Sequence, residues 1–141
     1  MTHQTQDDVR LYQKLLDCAR DAYKHSHAPY SKYRVGAALI TKEGKVVPGC
    51  NIEVVSYDGS ICAERVALAS AVSQGQRQFE AIAVVAEQSK EVWPCGVCRQ
   101  VLAEFGVELM VIVPGQDGSI RSLKLKELLP NFFPTSELLG K

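Results

Sequence analysis

Ala81-Ile82-Ala83-Val84-Val85-Ala86 is a continuous apolar run with the length of a strand, and no polar residue interrupts it to mark a solvent face. Such a run reads as a strand covered on both sides, which requires helices above and below it. Both neighbours fit. Upstream, Cys62 to about Val72 carries alanines with Val66 and Leu68 and suits a buried helix, and Gly75 is placed to end it. Downstream, Pro94 precedes a helical stretch from about Cys95 to Glu104, and Leu109 to Val113 forms the next apolar strand. Further out, Val35 to Ile40 and a second run from Val46 to about Glu53 flank Glu43-Gly44 as a β-hairpin, with Pro48 and Gly49 at an edge or bulge. Asp7 to Ser26 reads as a helix because Val9, Tyr12, Leu16, Ala19 and Tyr23 recur at spacings of three and four, and Pro29 stops it. Gln116-Asp117-Gly118-Ser119 is a turn into a short fifth strand near Ile120, and Leu125 to Leu129 makes a brief last helix ended by Pro130. The expected fold is α/β: a three-layer α-β-α sandwich on a mixed five-stranded sheet, with right-handed crossovers between the later strands.

The chain has 141 residues, 46% of them hydrophobic, and 16 Lys+Arg balance 16 Asp+Glu. That length predicts one domain over residues 1–141, with a core large enough to need no disulfides. Zero net charge, with basic residues scattered among acidic ones, argues against a nucleic-acid partner. The amino-terminal stretch from Met1 to Asp8 has neither a basic nor an apolar segment of a leader, and no apolar run approaches the roughly 20 residues that span a bilayer. The expectation is a cytoplasmic protein without a membrane partner. Cys18, Cys50, Cys62, Cys95 and Cys98 are odd in number and irregular in spacing, which fits a reducing compartment where thiols serve metal, catalysis or packing.

Cys95-Gly96-Val97-Cys98 at the start of a helix serves equally as a redox dithiol or as half of a structural zinc site. Cys62-Ala63-Glu64 also begins a helix after a strand, and helices that follow successive strands of one sheet open at the same edge. Three thiols then converge at helix starts, where unpaired amides favour thiolates. Three protein ligands with one open position is the arrangement of a catalytic zinc, and four ligands that of a structural one. Cys50 is the rival fourth ligand. Strand alternation puts Asn51 and Glu53 on one face and Cys50 with Ile52 on the other, which turns Cys50 into the core if the polar pair faces a pocket. Cys18 reads as a packing thiol of the first helix. Glu64 alone would be a helix-start acid complementing the dipole. Beside a ligand cysteine, its carboxylate reaches water at the metal, and Cys-x-Glu with a downstream Pro-Cys-x-x-Cys is the cysteine-for-histidine form of the zinc deaminase signature.

Four segments carry a family resemblance: Ala28-Pro29-Tyr30-Ser31-Lys32-Tyr33-Arg34-Val35-Gly36-Ala37-Ala38, Gly49-Cys50-Asn51-Ile52-Glu53, Cys62-Ala63-Glu64-Arg65 and Pro94-Cys95-Gly96-Val97-Cys98-Arg99-Gln100. In order and spacing the chain resembles the small, homotetrameric, zinc-dependent cytidine deaminases from its first helix to Leu128-Leu129-Pro130. The resemblance implies one Zn²⁺ per chain on Cys62, Cys95 and Cys98, Glu64 as proton shuttle, and hydrolytic deamination of cytidine and deoxycytidine in pyrimidine salvage. It further implies that Asn51 and Glu53 bind sugar hydroxyls, that the Ala63 backbone contacts the base, and that Tyr33 stands where the family usually places a phenylalanine against the base. Tyr57 and Phe133 match aromatics that the family supplies to a neighbouring subunit's pocket, so shared active sites in a homotetramer are implied; Phe132 is the alternative to Phe133. Where the family commonly continues Asn-Ala-Ser-Tyr-Gly-Leu, this chain has Val54-Val55-Ser56-Tyr57-Asp58-Gly59.

Three thiolates on zinc leave an excess of negative charge that a nearby cation should offset. Arg65, in the same helical turn as Cys62, is the candidate, and a plain surface arginine is the competing reading. Glu53 would repel a phosphate esterified on the sugar, which favours a free nucleoside over a polynucleotide. Two other functions remain open on the sequence: the same chemistry on a modified or aminoacyl cytosine nucleoside, supported by the Val54 to Gly59 segment, and a non-catalytic zinc-bearing binding protein, which leaves Glu64 without a purpose.

Overall fold

The computed structural model describes residues 4–140; Met1 to His3, the beginning of the stretch read above as lacking a leader, and Lys141 lie outside the described residues. Helix α1 covers Gln6–Tyr23. Thr5 caps it reciprocally: its hydroxyl accepts from the Asp8 amide at 3.0 Å, and the Asp8 carboxylate accepts from the Thr5 amide at 3.1 Å. The helix buries Tyr12, Leu15, Leu16, Ala19 and Ala22, so the buried stripe starts a turn later than the sequence spacing places it, and Val9 is 41% exposed. The hairpin follows as β1 (Val35–Thr41) and β2 (Val46–Cys50), joined through Gly44 at φ 94°. Next come α2 (Ala63–Ser73), β3 (Phe79–Ala86), α3 (Gly96–Ala103), β4 (Met110–Pro114), β5 (Ile120–Lys124) and α4 (Leu125–Leu128). A 3-10 turn at Tyr57–Gly59 and a terminal α5 (Ser136–Leu139) are additions that no periodicity in the sequence announced.

The five strands form one mixed sheet in the order β2-β1-β3-β4-β5. β3 and β4 are parallel and α3 crosses between them, while the other neighbouring pairs are antiparallel. Alternate residues feed two cores. Leu39, Ile82, Val84, Val111 and Val113 pack toward α2, α3 and α4, whereas Ala38, Ile40, Ala83, Val85 and Ile112 pack toward α1. This is the three-layer arrangement that the apolar Ala81 to Ala86 run requires.

Two glycines set the layer spacing. A Cβ on Gly36 would lie 1.9 Å from the Ala19 carbonyl oxygen of α1, and one on Gly49 would lie 2.4 Å from the Ala63 carbonyl oxygen and 2.5 Å from the Ala67 nitrogen of α2. The helices therefore rest directly on backbone. Gly49 is not a bulge residue; the register shift in the sheet falls at Ile40/Thr41, and β2 is an edge strand.

The expected extension of β2 to about Glu53 does not form. β2 stops at Cys50 because the Asn51 side chain takes a strand partner's place: its Oδ1 accepts from the Val35 amide at 2.9 Å and its Nδ2 donates to the Tyr33 carbonyl at 2.8 Å. Ile52 then bridges to His27 on one side and Ile61 on the other, closing residues 53–60 into a loop at the end of the sheet.

Candidate metal-dependent active site

β2 and β3 both run antiparallel to β1, so they point the same way and end at the same edge of the sheet. α2 and α3 begin there. Cys62 is the N-cap residue of α2 and Cys95 that of α3, where the Cys95 sulfur accepts from the Cys98 amide at 3.5 Å. The sulfurs of Cys62, Cys95 and Cys98 all lie within 4.8 Å of one another, and those of Cys62 and Cys95 are 3.8 Å apart. Two thiolates about 2.3 Å from a tetrahedral zinc would be separated by about 3.8 Å, which the Cys62–Cys95 pair matches, and Cys98 lies near enough to complete a three-thiol set. Cys50 and Cys18, both half-buried, stand outside this group, and no fourth thiol, histidine or carboxylate joins it among the described residues. Burial pushes the Cys18 thiol up, as expected of a packing cysteine.

Charge is managed locally. Nη2 of Arg65 donates to the Cys62 sulfur at 3.8 Å, which places a permanent cation against the thiol group. Hydrogen bonding from Cys98, and then from Arg65 and Cys95, brings the Cys62 thiol down to about 5. Cys98, fully buried, is shifted the opposite way by the same thiol-thiol bond and by desolvation. Within the cluster one thiol therefore ionises early and its neighbours stabilise it. Glu64, in the first turn of α2, is only 4% exposed, and burial pushes its carboxyl up to about 7, with the Cys62 charge adding to the rise.

A cavity of about 450 Å³ opens over these groups, and its wall includes Tyr33, Asn51, Glu53, Cys62, Ala63, Glu64 and Cys95. Seven residues singled out in the sequence thus meet around one space. Glu53 is fixed by the turn it faces: Oε1 accepts from the amides of Tyr30 at 3.1 Å and Ser31 at 3.0 Å, and the Ser31 hydroxyl bonds Oε2. The Ser31 hydroxyl, then its amide, hold the Glu53 carboxyl below the ordinary range. Ionised, such a group has about four lone-pair positions, so three bonds leave one for a ligand hydroxyl. The Asn51 amide, with both ends engaged on backbone, likewise keeps one N–H and one lone pair.

Tyr57 and Phe133 are not in this wall. Tyr57 is 71% exposed with its ring edge-on to Tyr30 at 5.8 Å, and Phe133 is 59% exposed. Gln100 grips the Phe133 backbone, donating to its carbonyl at 3.0 Å and accepting from its amide at 3.4 Å, while Phe132 is half-buried. Trp93 and Val92 also line the cavity, and the sequence reading omits both. The available signal was the chain's single tryptophan standing directly before Pro94-Cys95.

A three-thiol metal centre beside a buried acid, on a three-layer α/β scaffold, defines a zinc-dependent hydrolase. Residues 9–114 match the model of the cytidine and deoxycytidylate deaminase zinc-binding region. The chain is 43% identical over 127 residues to a cytidine deaminase of Halalkalibacterium halodurans, covering 89% of this chain and 96% of that one. It is 32% identical to a blasticidin-S deaminase of Bacillus cereus over 71% of this chain and 76% of the other. The crystal structure of a cytidine deaminase from Burkholderia pseudomallei superposes with a TM-score of 0.81 at 43% identity, over 94% of this chain and 100% of that one. The chain belongs to the cytidine and deoxycytidylate deaminase family.

Proposed function

We propose that this chain is a single-domain, zinc-dependent hydrolase that converts cytidine and deoxycytidine, with water, to uridine and deoxyuridine plus ammonia. The observation that carries this reading is that the thiol cluster of Cys62, Cys95 and Cys98 adjoins a cavity whose wall includes Cys62, Cys95, Glu64, Asn51 and Glu53. When bound, zinc supplies a Lewis acid that makes water nucleophilic at neutral pH. Cys62, Cys95 and Cys98 hold the ion, and Arg65 offsets their charge. Glu64 takes a proton from the attacking water and gives it to N3 of the pyrimidine as the oxygen adds at C4; a second transfer to the exocyclic nitrogen lets ammonia leave. Tyr33 offers a ring to the base, Ala63 a backbone contact, and Asn51 with Glu53 bind the sugar's hydroxyls. Glu53, ionised, turns away phosphate on that sugar.

The same reading places Tyr57 and Phe133 in the pockets of neighbouring copies within a homotetramer, and the enzyme in cytoplasmic pyrimidine salvage. All five cysteines are free, and no helix among the described residues is long and apolar enough to cross a membrane.

The test is ammonia release from cytidine by zinc-loaded protein, with one zinc per chain by elemental analysis. Zinc without turnover of any cytosine nucleoside would favour a binding protein. A modified cytosine nucleoside is the second reading, favoured by a cleft of about 350 Å³ that Tyr30, Ser31, Glu53, Tyr57 and Ser60 form against the sugar end of the cavity. Turnover of a sugar-modified nucleoside with cytidine left untouched would establish it.

A further inference from the structure

The cavity has two distinguishable ends. Ser31 and Glu53 line both it and the outer cleft beside Tyr57 and Ser60, so their end opens toward the loop surface. Trp93 lies on the side of the metal ligands: it is two residues before Cys95 and packs, half-buried, against the core cluster that contains Val84, another lining residue. Its ring also has a cationic neighbour. The Arg121 guanidinium sits over it, 5.6 Å from the centroid, and a Glu91 oxygen holds that guanidinium at 2.7 Å. Glu91 also accepts from the Gln116 amide at 3.2 Å, with its own backbone at φ 51°, so the loop carrying Trp93 is tied to the β4–β5 turn. A cation against an indole face is attracted by the ring's quadrupole, which favours one placement of the ring.

Substrate chemistry says what this wall meets. In a cytosine ring N1, which carries the sugar, stands opposite C4, the carbon that must lie at the thiols and Glu64. With the sugar directed to Glu53 and N3 to Glu64, the remaining edge carries C5 and the exocyclic nitrogen. The geometry points to Trp93 as the specificity-determining residue for that edge: a rigid apolar wall that admits an unsubstituted cytosine and refuses alkyl groups on C5 or on the exocyclic nitrogen. Arg121 and Glu91 act through it as positioning residues. This inference rests on the deaminase reading, and it concerns the C5 and exocyclic-nitrogen edge of the base, whereas the cleft beside Tyr57 and Ser60 concerns the sugar end.

The experiment compares kcat/KM for cytidine, 5-methylcytidine and N4-methylcytidine in wild type, Trp93→Ala, Trp93→Phe and Arg121→Ala, each with zinc content measured. Water adds at C4 in all three; the first two release ammonia, and the N4-methyl substrate releases methylamine, which carries off the proton delivered to the leaving nitrogen. A methyl group admitted to or refused by an apolar pocket changes kcat/KM about 10–200-fold. Trp93→Ala is expected to raise the ratio of at least one methylated substrate to cytidine by about 10-fold or more, Trp93→Phe by less, and Arg121→Ala in the same direction. Ratios that stay at wild-type values in Trp93→Ala overturn the inference while leaving the function intact. Wild-type protein that does not deaminate cytidine overturns the functional reading itself, and this inference with it. If Trp93→Ala does not fold, Trp93→Phe and Arg121→Ala decide, and unchanged ratios in both overturn the wall.

Discussion

Asn51 donates to Tyr33 and accepts from Val35, and Glu53 gathers three bonds from Tyr30 and Ser31, so each residue builds the wall in which it stands. Asn51→Ala removes two hydrogen bonds that finish the end of β1 and is expected to lower stability by about 1–3 kcal/mol as well as raising KM for nucleoside. Denaturant unfolding checks the first part; an unaltered midpoint would mean that the amide serves only the ligand. Glu64 stands differently, buried and outside the thiol group. Glu64→Gln should therefore retain fold and zinc while kcat falls about 10²–10⁴-fold or more. A variant with near-normal turnover would place the shuttle elsewhere. The clustering of the three thiols and the nearness of Glu64 to them were legible in the sequence, because a Cys-x-Glu and a Pro-Cys-x-x-Cys at two helix starts of one sheet bring those side chains to one edge. Trp93 was marked only by standing before Pro94-Cys95, and its contact with Arg121 of β5 is one that local spacing does not connect. The engagement of Asn51 was also hidden: alternation assigns it a face and says nothing of a side chain that replaces a strand.

At the scale of elements, the placement of α2 is decided by Gly49. Ala63, whose carbonyl oxygen lies within 2.4 Å of where a Gly49 Cβ would stand, is the residue after the ligand Cys62. Gly49→Ala must push α2 off β2, with an overpacking cost of about 1–3 kcal/mol, and it moves Cys62 relative to Cys95. The variant is expected to bind zinc more weakly than Ala69→Ser, a change at an exposed position of the same helix, and competition with a chromophoric chelator measures both. Equal affinities would show that the thiol spacing does not depend on this contact. On α3, Arg99 donates to the carbonyls of Pro94 and Leu128, each at 2.7 Å, and so ties the approach to Cys95 to the end of α4. Element types and order followed directly from the apolar run at Ala81 to Ala86 and its flanks. Boundaries followed less well where a side chain ended an element, as at Cys50, and where a turn without periodicity formed, as at Tyr57–Gly59.

For the whole molecule, the exposure of Tyr57 and Phe133 is the feature that a shared pocket would resolve. If they complete a neighbour's site, then Tyr57→Ala and Phe133→Ala should lower kcat/KM or loosen the assembly while leaving zinc content at one per chain; light scattering at assay concentration, paired with activity, checks this. A fully active monomer would remove the shared-site reading. The two rims of the sheet limit how copies could meet. One is β2, five residues long with an exposed proline, Pro48, at its centre; the other is β5, also five residues, carrying Arg121 and Lys124. Proline has no amide hydrogen to offer a further strand, and short charged rims resist pairing. Sheet extension from molecule to molecule, the route to fibrils, is thereby disfavoured at both ends.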